Sequence, residues 1–389
     1  MSTSTGAELV LTGARVVREH ETIRASVVIR DGHIASIDPG PAPAPGVCAR
    51  LDLGGDWLIP GLVELHTDHL ERHLVPRPGV RWPALASIQA HDAQAAASGM
   101  TTVFDCLRVG RDAGDDFEVD DILELAGALA RAEGGGRLRA AHRLHLRCEV
   151  SAPDALQEFE RLVEAEDVHL VSLMDHAPGE RQFASIEAAS VYYRGTLGYG
   201  EAEFERFVAT RVAHSEAYAA PQRHAIAGIC RERGIALASH DDASAAHVDE
   251  SDALGVTIAE FPTTMEAACR AHERGMTVLM GAPNVVRGRS HSGNVGAREL
   301  AAAGRLDVLS SDYVPFSLVQ AVFLLALDLE LCTVPEAVAL VTANPARAAG
   351  LDAVGRISVG RAADLVQVSA APGEVPVVRR VWRAGRRVA

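Results

Sequence analysis

The sequence predicts an α/β protein, a (β/α)₈ TIM-like barrel carrying a small β-sandwich domain built from both chain ends. Three observations carry that expectation. The 389 residues suffice for one barrel of roughly 250 residues with a modest accessory domain left over. Through the middle of the chain, short apolar runs alternate with longer Ala- and Glu-rich stretches, as repeated βα units do. Polar residues close nearly every one of these apolar runs, at the end where such a barrel keeps its chemistry.

The first segment, residues 8–59, reads as short β-runs, ELVLTGARVV, ASVVIRDGHIASI and ARLDLGGDWLI, broken by Gly, Asp and the stretch PGPAPAPG at 39–46. The tail repeats the style with GRISVGRAADLVQV (355–368) and VPVVRRVWRAGRRVA (375–389). Neither end alone holds enough strands to be stable. Residues 1–59 and 346–389 are therefore expected to form one sandwich beside a barrel of residues 60–345. Eight barrel strands are expected: LVELHTD (62–68), TTVFDCL (101–107), RLHLRCEV (143–150), VHLVSLMDH (168–176), IALASHDD (235–242), TIAEFPTT (257–264), TVLMGAPN (277–284) and DVLSSDY (307–313).

Composition narrows the function classes. With 48% apolar and 23% charged residues the chain is ordinary globular protein. A net charge of −15 repels nucleic acid and anionic membrane, so no partner of either kind is expected. The opening MSTSTGAELV has no basic region followed by an apolar stretch, and no window reaches the ~18 apolar residues of a membrane span. A cytoplasmic protein is the expectation, with a homo-oligomer left open. Six cysteines without CxxC spacing suggest neither a disulfide framework nor a thiolate zinc site. All 37 Lys+Arg positions are arginine. The absence of lysine excludes Schiff-base chemistry, a P-loop lysine and a carboxylated lysine bridging two ions.

The strand-end residues are His66 and Asp68, Asp105, Glu149, Asp175 and His176, His240 with Asp241 and Asp242, Glu260, Asn284 and Asp312. Any one of them alone would be read as a satisfied rim group. Imidazoles and carboxylates on one rim form a site for one or two divalent ions, with Zn²⁺ or Mn²⁺ best suited. His66 and Asp68, at i and i+2 on a strand, point the same way. Asp312 is the candidate proton acceptor for an attacking water.

In an acidic protein, an anionic substrate must meet a local cluster of positive charge. Arg77 and Arg81 follow strand one, Arg108 strand two, Arg181 strand four and Arg287 strand seven; guanidinium forks match phosphate oxygens. The stretch NVVRGRSHSGN (284–294) adds Ser290, His291, Ser292 and Asn294 as further anion contacts. Tyr192 and Tyr193 suit stacking on a ribose or core packing. His91 and Asp92 read as the structural opening of a helix, and His145, within strand three, as a barrel-packing group or a support behind the ligands.

LIPGLVELHTDHLERH (58–73), with Pro-Gly before its histidine, resembles the first barrel strand of the amidohydrolase superfamily. NPARAAGLDAVGRISVGRAADLVQV (344–368) resembles that superfamily's exit from barrel to sandwich. Within it, PRPGVRWP (76–83), HDAQAAASGMTTVFD (91–105), RLHLRCE (143–149), LMDHAPGERQF (173–183), SHDD (239–242), AEFPTT (259–264), MGAPNVVRG (280–288), SHSGN (290–294) and SSDY (310–313) are similar to the PhnM family of phosphonate catabolism. The resemblance spans nearly the whole chain. It implies a diphosphatase of the carbon–phosphorus lyase pathway, acting on α-D-ribose 1-methylphosphonate 5-triphosphate to give the 5-phosphate and pyrophosphate. Against the commoner superfamily pattern, Asp68 replaces a second His and Glu260 stands where strand six usually supplies a His. The comparison makes His66, Asp68, Glu149, His176, His240, Glu260 and Asp312 the expected ligands. Glu149 is expected to bridge, with His176 and His240 on a second ion. Two other readings compete: a cyclic amidohydrolase or N-acyl deacylase, which needs no set of arginines, and a metal-free binding protein, which needs no such ligands.

Overall fold

The structure, a computed structural model, describes residues 9–40, 49–110, 119–181, 200–290 and 293–389. Tyr192, Tyr193, His291 and Ser292 lie outside these residues. Among the described residues the strands are β1 Leu9–Val17, β2 Thr22–Arg30, β3 His33–Pro39, β4 Ala49–Asp52, β5 Trp57–Pro60, β6 Leu62–Thr67, β7 Met100–Val109, β8 Ala141–Glu149, β9 Val168–Met174, β10 Ala236–His240, β11 Ile258–Glu260, β12 Thr277–Gly281, β13 Val308–Ser310, β14 Leu365–Ser369, β15 Val377–Arg383 and β16 Arg386–Arg387.

Strands β6 to β13 form one eight-stranded parallel sheet in sequence order, with helical segments between successive strands. These are the eight expected strands. Three end earlier than their apolar runs suggest, and the reason is backbone conformation: Asp241, Phe261 and Asp312 have φ of 58°, 53° and 53°, which no strand accommodates. The sheet closes into a barrel only at its C-terminal rim. There Thr67 and Asp312 form a parallel bridge, the Asp312 N–H donates to His66 O (3.1 Å) and the Asp68 N–H to Asp312 O (3.2 Å). Glu64, fully buried, ties the same seam: its two oxygens accept the backbone N–H of His66 (2.7 Å) and of Ser311 (2.6 Å).

The alternating inward face of each strand fills the barrel in layers. Val63, Leu65, Phe104, Leu170, Ala238, Ile258, Leu279 and Val308 pack as one buried apolar cluster. Above it the inward positions turn polar. On β8 the i, i+2, i+4 series is His145, Arg147 and Glu149. On β6 a register shift between Glu64 and Thr67 accompanies the placing of both Leu65 and His66 among inward groups.

The two chain ends do pair. β14 runs antiparallel to β5, with Leu365 opposite Pro60 and Val368 opposite Trp57, within a continuous sheet ordered β16-β15-β14-β5-β1-β2-β3, β4 pairing with β1. Strands far apart on that path enclose a common core: Val27 and Ile29 of β2 share a cluster with Leu58, Leu365 and Trp382. The β15–β16 turn closes the unit against the β2–β3 turn, where a Cβ at Gly385 would lie 2.7 Å from Ile29 Cγ2.

Helix α1, His69–Leu74, follows β6, and α2, Ala84–Ala97, precedes β7. A buried charged network locks α2 to the barrel. Asp105 accepts from His91 Nε2 (2.7 Å) and His142 Nδ1 (2.8 Å), and His142 Nε2 lies 3.3 Å from Asp92. Asp92 also accepts the backbone N–H groups of Arg139 and Ala140. His91 and Asp92 do not open a helix as expected: α2 begins at Ala84, and both lie inside it, where their structural role is to hold this buried network. Although burial opposes its charge, the Asp105 and Asp92 carboxylates push His142 up to about 10. A raised histidine pKa contributes stability that is complete below the unfolded value of 6.5 and disappears as pH climbs through the folded value. His142→Ala is expected to cost about 3–5 kcal/mol near neutral pH, because it strands buried carboxylates, and progressively less towards pH 10. Denaturant unfolding across that pH range measures both the cost and its decline.

Candidate metal centre

At the closed rim, three histidines present themselves in one pattern. His240 Nδ1 lies 3.2 Å from Glu260 Oε2, with His66 Nδ1 at 3.3 Å from the same oxygen. His176 Nδ1 is 2.8 Å from Glu149 Oε2. A carboxylate on one ring nitrogen fixes the tautomer and leaves the other nitrogen for an ion. Those other nitrogens face carboxylates: His66 Nε2 is 3.7 Å from Asp68 Oδ1, while His240 Nε2 and His176 Nε2 are 3.6 and 3.7 Å from Asp241 Oδ2. Among the described residues, His176, His240 and Asp241 form one group with ligand atoms within 4.8 Å of one another, and His66, Asp68 and Asp312 form another.

Whether these residues fit a divalent ion can be judged from Asp241. Its Oδ2 is buried without a hydrogen-bond partner yet faces two imidazole nitrogens, and its backbone holds the strained positive φ that aims it there. An orphaned carboxylate oxygen in such a setting is costly unless a cation completes it. The mixed N and O donors suit Zn²⁺ or Mn²⁺. Phe261, also at positive φ, sets its ring edge-on to His66 (4.9 Å) and His240 (5.2 Å) and packs both imidazoles in place.

Burial and the neighbouring Asp68 raise Asp312 to about 6. A carboxyl poised there can accept a proton near neutral pH. Arg147 donates to Asp68 Oδ1 and holds that carboxyl below its ordinary range although burial opposes it.

The expected ligands His66, Asp68, His176, His240, Glu260 and Asp312 thus converge on the rim. Glu260 sits beneath His66 and His240, where it also accepts the Ser172 hydroxyl (2.6 Å). Glu149 joins through His176 alone. Its oxygens are engaged by the Ser151 hydroxyl (2.6 Å), the His176 N–H (3.1 Å), Arg108 and Arg211, both at 3.5 Å, and it falls outside every candidate ligand group of the described residues. Despite burial, His176 beside it draws Glu149 down to about 2.

The arginines separate. Arg181 is buried, with its guanidinium on Asp242 and Glu250, where it ties the loop after β9 to the segment after β10. Arg81 pairs with Asp121 and Arg108 with Glu149. Arg77 is exposed. Arg287, Ser290 and Asn294 line a cavity of about 490 Å³ with Arg289, Gly293, Gly296 and Glu299. Sequence reasoning passed over Arg147, Glu64, Phe261 and Ser172. Counting back in twos from Glu149 would have put Arg147 on the inward face; nothing local marked the others.

Because Glu260 anchors two imidazoles, Glu260→Gln should weaken divalent-ion binding by about 10–100-fold. Competition against a chromogenic chelator reads this directly, and an unchanged affinity would separate Glu260 from the histidines.

A family model described as "Amidohydrolase family" matches residues 293–389. Among solved structures, a variant of N-acetyl-D-glucosamine-6-phosphate deacetylase from Mycobacterium smegmatis superposes with a TM-score of 0.62 at 18% identity, covering 98% of this chain and 100% of that one. The 5-methylcytosine deaminase of Klebsiella pneumoniae superposes at 0.64 with 15% identity, covering 98% of each chain. At those identities the likeness speaks for the fold. Alpha-D-ribose 1-methylphosphonate 5-triphosphate diphosphatase of Escherichia coli (strain K12) is 46% identical over 383 residues, spanning 98% of this chain and 100% of the relative. By that full-length match the chain belongs to the PhnM family of diphosphatases, hydrolases of the amidohydrolase superfamily.

Proposed function

We propose that the protein hydrolyses the triphosphate of α-D-ribose 1-methylphosphonate 5-triphosphate, releasing pyrophosphate and leaving the 5-phosphate. The observation that carries the reading is the full-length 46% identity to the diphosphatase; the rim geometry supplies the chemistry. When bound, a zinc or manganese ion offers Lewis-acid stabilisation of charge developing on phosphoryl oxygens. His176, His240 and Asp241 are its proposed holders, with His66, Asp68 and Asp312 beside them. Glu260 and Glu149 orient the imidazoles.

Asp312 accepts the proton of the attacking water and positions it for in-line displacement. Pyrophosphate is a stable leaving group, so most of the work is holding a strongly anionic substrate in place. Arg287, Ser290 and Asn294, in the segment after β12, are proposed to take the terminal phosphates, with Arg77 from the loop after α1, while Arg81 is held on Asp121. Arg181 is left out of this clamp because its guanidinium already neutralises two carboxylates. The free thiols of Cys106, Cys148, Cys230, Cys269 and Cys332 agree with a reducing, cytoplasmic setting.

Chelation should abolish pyrophosphate release, and divalent ion should restore it. Asp312→Asn should eliminate turnover while substrate binding persists. Arg287→Ala should lower kcat/KM by about one to two factors of ten, since a charge-assisted phosphate contact contributes about 1.5–3 kcal/mol. Hydrolysis in ¹⁸O-labelled water decides the bond: label in the ribose 5-phosphate agrees with attack on the α-phosphorus, and label in pyrophosphate would refute it. Turnover of a cyclic amide in place of the triphosphate would establish the competing amidohydrolase reading.

A further inference from the structure

The rim holds a permanent cation of its own. Arg147 projects from the inward face of β8 between His145 and Glu149, and its side chain is 16% exposed. Its Nη1 donates to Asp68 Oδ1, the oxygen that faces His66 Nε2 at 3.7 Å. The guanidinium therefore already occupies a carboxylate oxygen of one candidate ligand group. That group, His66, Asp68 and Asp312, shares no residue with His176, His240 and Asp241, and Glu260 stands between His66 and His240.

Two divalent ions about 3.5–4 Å apart place strong like charge in one site, and a bridging anion normally offsets it. This chain has no lysine to carboxylate. Glu149 is occupied by His176, Ser151, Arg108 and Arg211. Of the other rim carboxylates, Asp241 Oδ2 faces His176 and His240, and Glu260 Oε2 faces His66 and His240. We propose that Arg147 is the built-in second cation of this site, so that the chain binds a single divalent ion at His176, His240 and Asp241 while Asp68 serves the guanidinium. This rests on the reading of the rim as a metal centre. A fixed guanidinium would neutralise a phosphoryl oxygen beside the ion without needing a second metal.

The test counts ions. Protein stripped with chelator, reloaded with Zn²⁺ or Mn²⁺ and desalted is analysed by mass spectrometry for metal per chain. One equivalent is expected in the wild type and one in Asp68→Asn, because Asp68 does not hold the ion. Arg147→Met, which frees Asp68 and His66, should take up a second equivalent with weaker affinity. Two equivalents in the wild type, loss of the ion in Asp68→Asn, or a single equivalent in a folded Arg147→Met would each overturn the proposal. Should circular dichroism show that Arg147→Met does not fold, the wild-type and Asp68→Asn counts decide. No bound ion in the wild type would instead remove the metal-centre reading on which the proposal stands.

Discussion

The structure depends on the closure of one seam. Eight parallel strands need a last pairing between first and eighth, and here that pairing is confined to the rim, where Thr67 meets Asp312. Glu64 makes it hold, since one buried carboxylate accepts an N–H from each side, from His66 and from Ser311. Burial would rather have this group neutral and raises it to about 7; the two backbone donors and the Ser311 side chain oppose that push. Because the seam joins the residues that carry His66, Asp68 and Asp312, the same bonds that close the barrel assemble half of the site. Fold and chemistry are fastened at one place.

A second constraint is the handling of charge. Several carboxylates share a buried rim, and each needs a partner. Histidines serve Glu149 and one oxygen of Glu260, Arg147 serves Asp68, and Asp241 Oδ2 and Glu260 Oε1 are left as buried oxygens that no donor reaches. The arginines that reading along the chain pointed towards substrate divide in the same way. Arg181 goes to Asp242 and Glu250 and stiffens the scaffold, whereas Arg287 remains exposed beside a cavity. In a protein of net charge −15, a cation near carboxylates is more readily used to neutralise them than left free for a ligand.

Positive φ at Asp241, Phe261 and Asp312 links these points. Each residue ends a barrel strand abruptly and turns its side chain into the rim, at a local cost of order 1–3 kcal/mol. For Asp the left-handed conformation is tolerable; for Phe it is held by packing against two imidazoles. Strain of this kind is stored where ligands must be aimed.

What the linear sequence determined is the part governed by local periodicity. Apolar runs of strand length with polar ends set the eight barrel strands, and the β-rich ends, too small to stand alone, required each other, as β5 against β14 shows. Alternation along β8 even contained Arg147, two residues from Glu149. What only the tertiary structure decided is pairing between residues far apart in the chain. Glu149 could be a bridge or a support, and 27 residues separate it from the His176 that it supports. Glu64 looked like one more strand residue until a backbone 247 residues away came to its oxygen. A residue's type and spacing state which interactions it can make; which of them it does make depends on the distant partner that the closed barrel brings within about 3 Å, since a buried polar group takes the first donor or acceptor the fold supplies.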